Sequence, residues 1–402
     1  MAHSVTPGAQ TGRMEWLPIA RAADVSTRPL AVTAAGVPLV VLRPEPDAEP
    51  VVFADRCPHR LVPLSAAKVE NGRLRCAYHG WEFDASGQCV DLPSQEGAPP
   101  PRASLPRGPQ VRVRDGIVEI SGLPPADPAE LFTNEDESLL RAWHPVGIVG
   151  KDDMSEVELL GTKYRPGEER TQERWGLLWL APREPAVELF DDPDHDDANY
   201  VGAWLPPARS PASAGIVADN FLDVAHFPFV HAKTFGAAEE KIVERYAVTD
   251  EPWGCRSVQD QWFDNPADPG VAAGLRPVRQ RRRATYVYRA PFQLMLRLEE
   301  LDAGAVKTIL FFAQPESLTS TRIYTKMLFH GIGGVADPPP DVIRSEVAFE
   351  EAVLEEDLEL QRTLRLPGLP LRMRDELHVR ADLLGVHMRR VLTRLKEESQ
   401  PA

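Results

Sequence analysis

The chain has 402 residues, of which 43% are hydrophobic and 26% charged, and it carries a formal net charge of −15 at pH 7. That length implies two or more cores, and the acidic balance argues against nucleic acid as a partner while leaving room for a local basic channel. Four cysteines are too few for a disulfide scaffold of this size, no apolar run reaches membrane-spanning length, and the opening MAHSVTPGAQTGR lacks the apolar core of a secretion signal, so a cytoplasmic enzyme with reduced thiols is the expectation.

Residues 14–121 read as short strands. PLAVTAAGVPLVVLRPE is expected to form a hairpin, EPVVFADRC to lead into a loop, and GPQVRVRDGIVEISG to close on an Asp-Gly turn. Between them Cys57 and His59 form C-x-H, and Cys76 and His79 form C-x-x-H. Each pair can offer one sulfur and one nitrogen from a single tight loop. Such a set suits zinc, or a [2Fe–2S] cluster with two cysteines on one iron and two histidines on the other. A zinc finger fits poorly, because it groups its cysteines apart from its histidines around a short helix. Here each loop is mixed, and an Asn-Gly turn signal lies between the loops. Cys89 and Cys255 lack a histidine partner and read as packing residues.

LPPADPAE at 123–130 is a linker by composition. In the segment 122–185, RAWHPVGIVGKDDMSEVELLG reads like MEWLPIARAADVSTRPLAVTAAG, and ERWGLLWL like RDGIVEIS. Two readings compete: a truncated second copy of the first unit, or chance similarity between strand pairs. Either way the segment has no C-x-H and cannot hold a cluster, and His144 reads as structural.

From 186 to 402, ATYVYRAPFQLMLRLEEL, AVKTILFFAQPES and STRIYTKMLF alternate as antiparallel strands expected behind a substrate cavity. Helices are expected around 216–236 and 343–363. IVADNFLDVAHFPFVHAKTFG places Asn220, Asp223 and His226 three residues apart, with His231 five further on. On one helix Asp223 and His226 share a face, and Pro228 would bend it so that both histidines meet one metal. A carboxylate would then complete a 2-His-1-carboxylate triad with open positions. The acid-rich RSEVAFEEAVLEEDLELQRTLRLPG is helical in composition, and most of its carboxylates should be solvated. The basic run RPVRQRRRATYV at 276–287 is either a steering surface for an acidic partner or carboxylated substrate, or a strand edge guarded by charge.

CPHR…CAYHGWEFDASGQCV resembles the cluster-binding segment of Rieske non-haem iron oxygenases, and the Asp223–His226–His231 segment resembles that family's mononuclear iron segment. The resemblance implies an α+β fold: a small antiparallel β Rieske domain (14–121), then a catalytic domain (186–402) with an antiparallel sheet flanked by helices. It implies that Cys57 and Cys76 hold the inner iron of a [2Fe–2S] cluster and His59 and His79 the outer, solvent-facing one, with Trp81 packed beside it. His226 and His231 would hold a mononuclear Fe(II). Glu356-Asp357 and Gln361 look like the family's third-ligand pattern and point to Asp357, with Glu356, Glu350 and Glu351 as alternatives. Asp223 would join His226 to a Rieske histidine of the neighbouring subunit in a head-to-tail homotrimer, and Asn220 would lie near the iron without firmly binding it. The sequence shows no second cysteine-cluster motif and no G-x-G-x-x-G signature, so electrons from NAD(P)H would arrive through a ferredoxin or flavin reductase, with O2 as cosubstrate. The layout favours monohydroxylation or oxidative demethylation of a small aromatic or natural-product substrate. An aromatic-ring cis-dihydroxylating dioxygenase and a plain Rieske electron carrier are the alternatives, and Phe221, Phe227, Phe292 and Phe311 are candidate pocket residues.

Overall fold

The computed structural model describes residues 15–236, 239–266, 268–335 and 338–399. The turn signals of the N-terminal region act where they stand. Asn71-Gly72 and Asp115-Gly116 both take positive φ, the backbone that lets a two-residue turn follow the twist of its strands. The first closes Lys68–Glu70 on Arg73–Arg75, and the second closes Gln110–Arg114 on Ile117–Ser121. Leu17–Arg21 pairs with the latter strand, and Leu30–Ala34, Val37–Leu42 and Val51–Ala54 form another three-stranded sheet. Glu82–Phe83 and Cys89–Asp91 extend the small sheet that begins at Lys68.

Residues 131–185 carry related pairings. His144–Ile148, Leu177–Ala181 and Arg170–Arg174 form a sheet in that order, with an irregularity between Pro145 and Gly147. In the first sheet the irregularity falls between Pro18 and Ala20. Val157–Leu159 and Thr162–Tyr164 form a hairpin, as do Leu30–Ala34 and Val37–Leu42.

The larger sheet is antiparallel, in the order Val201–Trp204, Ser320–His330, Val306–Ser317, Gln293–Glu300, Arg279–Arg289, Gly254–Asp264 and Val248–Glu251, and Ala208–Ser210 also pairs with Ser320–His330. Period-two alternation sorts its two faces. Tyr286, Tyr288, Leu294 and Phe311 pack with Val217, Leu222, Leu384 and Met388 from the helices. Val287, Met295, Leu310 and Phe312 pack instead with Trp143, Trp175 and Trp179. The 131–185 segment therefore covers the sheet face opposite the helices. Among the described residues no helix is long and apolar enough to cross a membrane.

The basic run lies on the strand Arg279–Arg289, and its charges are matched. Arg283 Nε donates to Asp260 at 2.8 Å, Arg282 to Glu239 at 3.0 Å and Arg279 to Glu240 at 2.9 Å. This pairing favours a charge-guarded strand over an open steering surface.

A buried ionic network ties the helices to the Rieske loops. The fully buried Arg389 donates to both oxygens of Asp219, at 2.6 and 2.9 Å, and approaches Glu376 at 2.7 Å. Arg60, from the first cluster loop, reaches Asp219 at 3.2 Å and Asp382 at 3.1 Å. Removing one member of such a network strands the others away from water. Arg389→Met should lower unfolding free energy by ~3–5 kcal/mol, measured by urea denaturation. A loss below ~1 kcal/mol, the range of surface ion pairs, would contradict this reading.

Candidate metal centres

The two cluster loops share one hydrogen-bond design. In the first, Cys57 N donates to Val62 O at 2.9 Å and Leu61 N to Cys57 O at 3.1 Å. In the second, Cys76 N donates to Trp81 O at 2.9 Å and Gly80 N to Cys76 O at 3.1 Å. Leu61 and Gly80, each four residues after its cysteine, take positive φ. His59 and His79 are thereby turned toward each other, with their Nδ1 atoms 3.1 Å apart. Trp81 is fully buried and stacks on His59 at 4.6 Å.

The donor set fits the cluster. Each Nε2 donates to a carboxylate, His59 to Asp382 at 2.9 Å and His79 to Asp223 at 2.7 Å. The protons therefore sit on Nε2, and two Nδ1 lone pairs face one another, an arrangement that an electrophilic centre between them resolves. A 3.1 Å separation is close to the edge of a polyhedron with ligands at roughly 2.1 Å from one metal. Cys76 is pulled down to about 7, foremost by the hydrogen bond with Cys57. Cys89 and Cys255 are instead pushed up to about 12 by burial, as suits packing residues.

The expected solvent-facing outer iron is corrected here. His59 and His79 are only 1% and 3% exposed, because the catalytic domain lowers Asp382 and Asp223 onto their outer edges.

The mononuclear segment departs from the expected bent helix. The helix Ala214–Leu222, capped by Ser213, stops before Asp223, whose backbone is extended. A separate short helix, Phe227–Val230, follows. Pro228 falls in its first turn, where its missing N–H costs nothing. His226 and His231 flank this helix, with their Nε2 atoms 3.0 Å apart.

Asp357, on the helix Pro340–Gln361, brings Oδ1 to 3.5 and 3.4 Å from those two nitrogens. Among the described residues, His226, His231 and Asp357 form the one group of three or more metal-type side chains with converging ligand atoms. Glu356 turns the other way, accepting from His231 Nδ1 at 3.1 Å and Thr234 Oγ1 at 2.7 Å. It orients a histidine, which leaves Asp357 facing the metal position. Asn220 Nδ2 donates to Asp357 Oδ1 at 3.2 Å and to Tyr78 OH at 3.1 Å, and Gln361 holds its oxygen at 2.7 Å.

Burial alone would depress His226, but Asp223 and Asp357 outweigh it and raise its pKa to about 9. Burial lowers His231. Below about 9 the metal-free site thus keeps a proton on His226 that iron must displace, since neutral imidazole is the ligand. Loading with Fe(II) at pH 7 is expected to release about one proton per iron and to tighten as pH rises toward that value. Calorimetric titration in two buffers of unlike protonation enthalpy measures this, and no release at pH 7 would contradict it.

Asp223 joins the two centres. It is 6% exposed, accepts from His79 Nε2 through Oδ2 at 2.7 Å and faces His226 Nδ1 through Oδ1 at 3.6 Å. That His226 nitrogen has no other partner. In the single chain described here, His79 and His226 meet on either side of this carboxylate.

Sequence reasoning missed Tyr78, Glu356 as an orienting group, and Asp382. Tyr78 sits inside the motif and Glu356 beside Asp357, so both were in view without a role. Asp382 lies 323 residues from His59 with no ligand-like spacing near it. Of the candidate pocket rings, Phe221 packs on Phe311 at 4.7 Å and Phe227 lies 4.8 Å from His226. Phe292 pairs with Phe132, and Phe292 and Phe311 both belong to the main core.

The Rieske [2Fe-2S] domain family matches residues 15–106, and the vanillate O-demethylase oxygenase C-terminal domain family matches residues 210–398. Fold and donor sets define a Rieske-domain protein with a second, mononuclear iron centre. The chain belongs to the Rieske ring-hydroxylating oxygenase α subunits, in their monooxygenase and demethylase branch.

One relative, described as a toluene-4-sulfonate monooxygenase system iron-sulfur subunit (TsaM2) of Comamonas testosteroni, is 26% identical over 73% of this chain and 66% of its own length. The oxygenase component of dicamba O-demethylase from Stenotrophomonas maltophilia is 40% identical over 29% of this chain and 33% of its own. The matches thus span less than two thirds of either relative. The structure of Pseudomonas putida CBB5 NdmA with caffeine aligns at a TM-score of 0.46 and 20% identity, covering 95% of this chain and 90% of that one.

Proposed function

We propose that the protein is the terminal oxygenase of a multicomponent system, which hydroxylates or oxidatively demethylates a small aromatic or heterocyclic substrate. The observation that carries this reading is the buried Asp223 carboxylate, in contact with cluster-side His79 and facing His226 of a 2-His-1-carboxylate set. A mere electron carrier has no use for the second set. With Cys57, Cys76, His59 and His79 holding the cluster and His226, His231 and Asp357 the single iron, the bound metals supply one-electron storage and O2 activation.

The protein residues do the positioning. Asp223 fixes the tautomer of His79 and aligns His226. Glu356 fixes His231, and Asn220 steadies Asp357. Phe227 and Phe235, the latter stacked at 5.1 Å on His231, put apolar rings beside the ligands, which suits an aromatic substrate. For a methyl ether the balance is one O2, two electrons and two protons in, with phenol, formaldehyde and water out. The electrons come from NAD(P)H through a ferredoxin or flavin reductase.

Oxygen uptake tests this reading, with vanillate, dicamba and toluene-4-sulfonate as probes and a surrogate reductase supplied. Substrate-stimulated uptake with formaldehyde released from a methoxy probe is the expected result. Uptake that no probe in a wider aromatic and methylxanthine series stimulates would contradict it.

A further inference from the structure

We infer that the cavity beside the mononuclear site prefers aromatic substrates with a neutral hydrogen-bonding substituent to those with a carboxylate or sulfonate, because Glu239 already pairs with Arg282, the cation that an anion would need. The inference rests on the oxygenase reading above and names the substrate class of that same site.

The cavity has a volume of about 420 Å³, within the range of small-molecule sites. Val224 and Phe227 line it on the iron side, and the Phe227 ring lies 4.8 Å from that of His226. Its opposite wall follows from strand register. Gln259 and Gln261 line the cavity and stand directly across from Ala284 and Arg282, while Ser257 stands across from Tyr286. Directly opposed residues share a sheet face. This wall is therefore the face on which Ala284 and Tyr286 pack against Val217 and Leu222 of the helix that leads to Asp223.

A polar ladder runs along that wall. Arg282 Nε donates to Gln261 Oε1 at 3.0 Å, Gln261 Nε2 to Gln259 Oε1 at 3.4 Å, Gln259 Nε2 to Ser257 Oγ at 3.2 Å, and Ser257 Oγ to Ala247 O at 2.9 Å. A carboxamide has two N–H donors and two oxygen lone pairs. The ladder engages one of each on both glutamines, which leaves one donor and one acceptor on each for a ligand. An amide, phenol or ketone on the substrate ring can use either.

The charges at the wall are matched pairwise. Arg282 donates to Glu239 at 3.0 Å, and the two side chains are 12% and 14% exposed. Arg279 is held by Glu240 at 2.9 Å. Arg245 stands exposed at the cavity, next to Glu244 in sequence. An anionic substituent lying against the glutamines would give up its water and meet no unmatched cation there, and Glu239 would repel it. Glu239 thus acts as a specificity determinant through Arg282. Replacing it with a neutral residue should free the guanidinium for an anion.

Methoxybenzamides and the matching methoxybenzoates provide the test, since each pair has the same shape and differs in charge at pH 7. Binding is measured by calorimetric titration into the iron-loaded protein, under argon and without reductant. The wild type should bind an amide about tenfold or more tighter than its benzoate, the scale of one charge-assisted hydrogen bond. Glu239→Gln should tighten benzoate by a similar factor, and Arg282→Gln added to Glu239→Gln should abolish that gain. A wild type that binds benzoate as tightly as the amide, or binds no amide, would overturn the inference, as would an unchanged preference in Glu239→Gln. Failure of the oxygenase reading would show separately, as absent oxygen uptake in a protein whose binding preference is as expected.

Discussion

Asp357→Ala is expected to empty the mononuclear site and leave the cluster intact. The site has three protein ligands, two imidazoles 3.0 Å apart and one carboxylate oxygen within 3.5 Å of both. Losing the only anionic ligand of three should weaken iron binding by more than the roughly 10–100-fold that outer-shell changes cost. Glu356→Gln should behave differently. It leaves the ligand set whole and keeps an oxygen for His231, so its cost is the orienting charge, on the order of 10–100-fold. Iron quantitation with visible absorption separates them: the alanine variant keeps its brown cluster but not its third iron, while the glutamine variant keeps both at high iron. A third iron retained in Asp357→Ala and lost in Glu356→Gln would transfer the ligand role to Glu356.

Asp223→Asn should keep both metals and slow the passage of electrons between them. Burial pushes this carboxyl up, but His79 and His226 outweigh it and hold it well below the usual carboxylate range, so it stays charged at neutral pH. An amide in its place can accept from one histidine but offers an N–H to the other. The alignment of His79 against His226 is then lost while each metal keeps its own ligands. Single-turnover decay of the reduced-cluster absorbance should slow on the order of 10–100-fold. An unchanged decay would mean that the centres communicate by another route.

What could be read from the sequence was what local spacing encodes. The mixed C-x-H and C-x-x-H loops announced a two-sulfur, two-nitrogen set because each is one tight turn, and the Asn71-Gly72 and Asp115-Gly116 signals located the hairpins. The helix bearing Asp357 was evident from composition, and its neighbour Gln361 helped choose the acid. Pro228 misled because proline has two roles near helices: it bends an interior or begins a first turn, and only the break after Leu222 decides between them. Strand phase was also hidden. Phe292 and Phe311 look alike in sequence and both lie in the main core, yet one packs on Phe132 and the other on Phe221.

The larger omission was tertiary. The network of Arg60, Asp219, Glu376, Asp382 and Arg389 joins segments hundreds of residues apart, and no local pattern marks a buried charge whose partners lie elsewhere in the chain.

The whole account depends on two distinct iron centres lying on either side of one carboxylate. Mössbauer spectroscopy of protein loaded with iron-57 tests this most directly. After reduction it should show a coupled iron pair and a separate high-spin ferrous site at an area ratio of roughly two to one. A spectrum in which all iron belongs to the pair, in protein that still turns over, would contradict it.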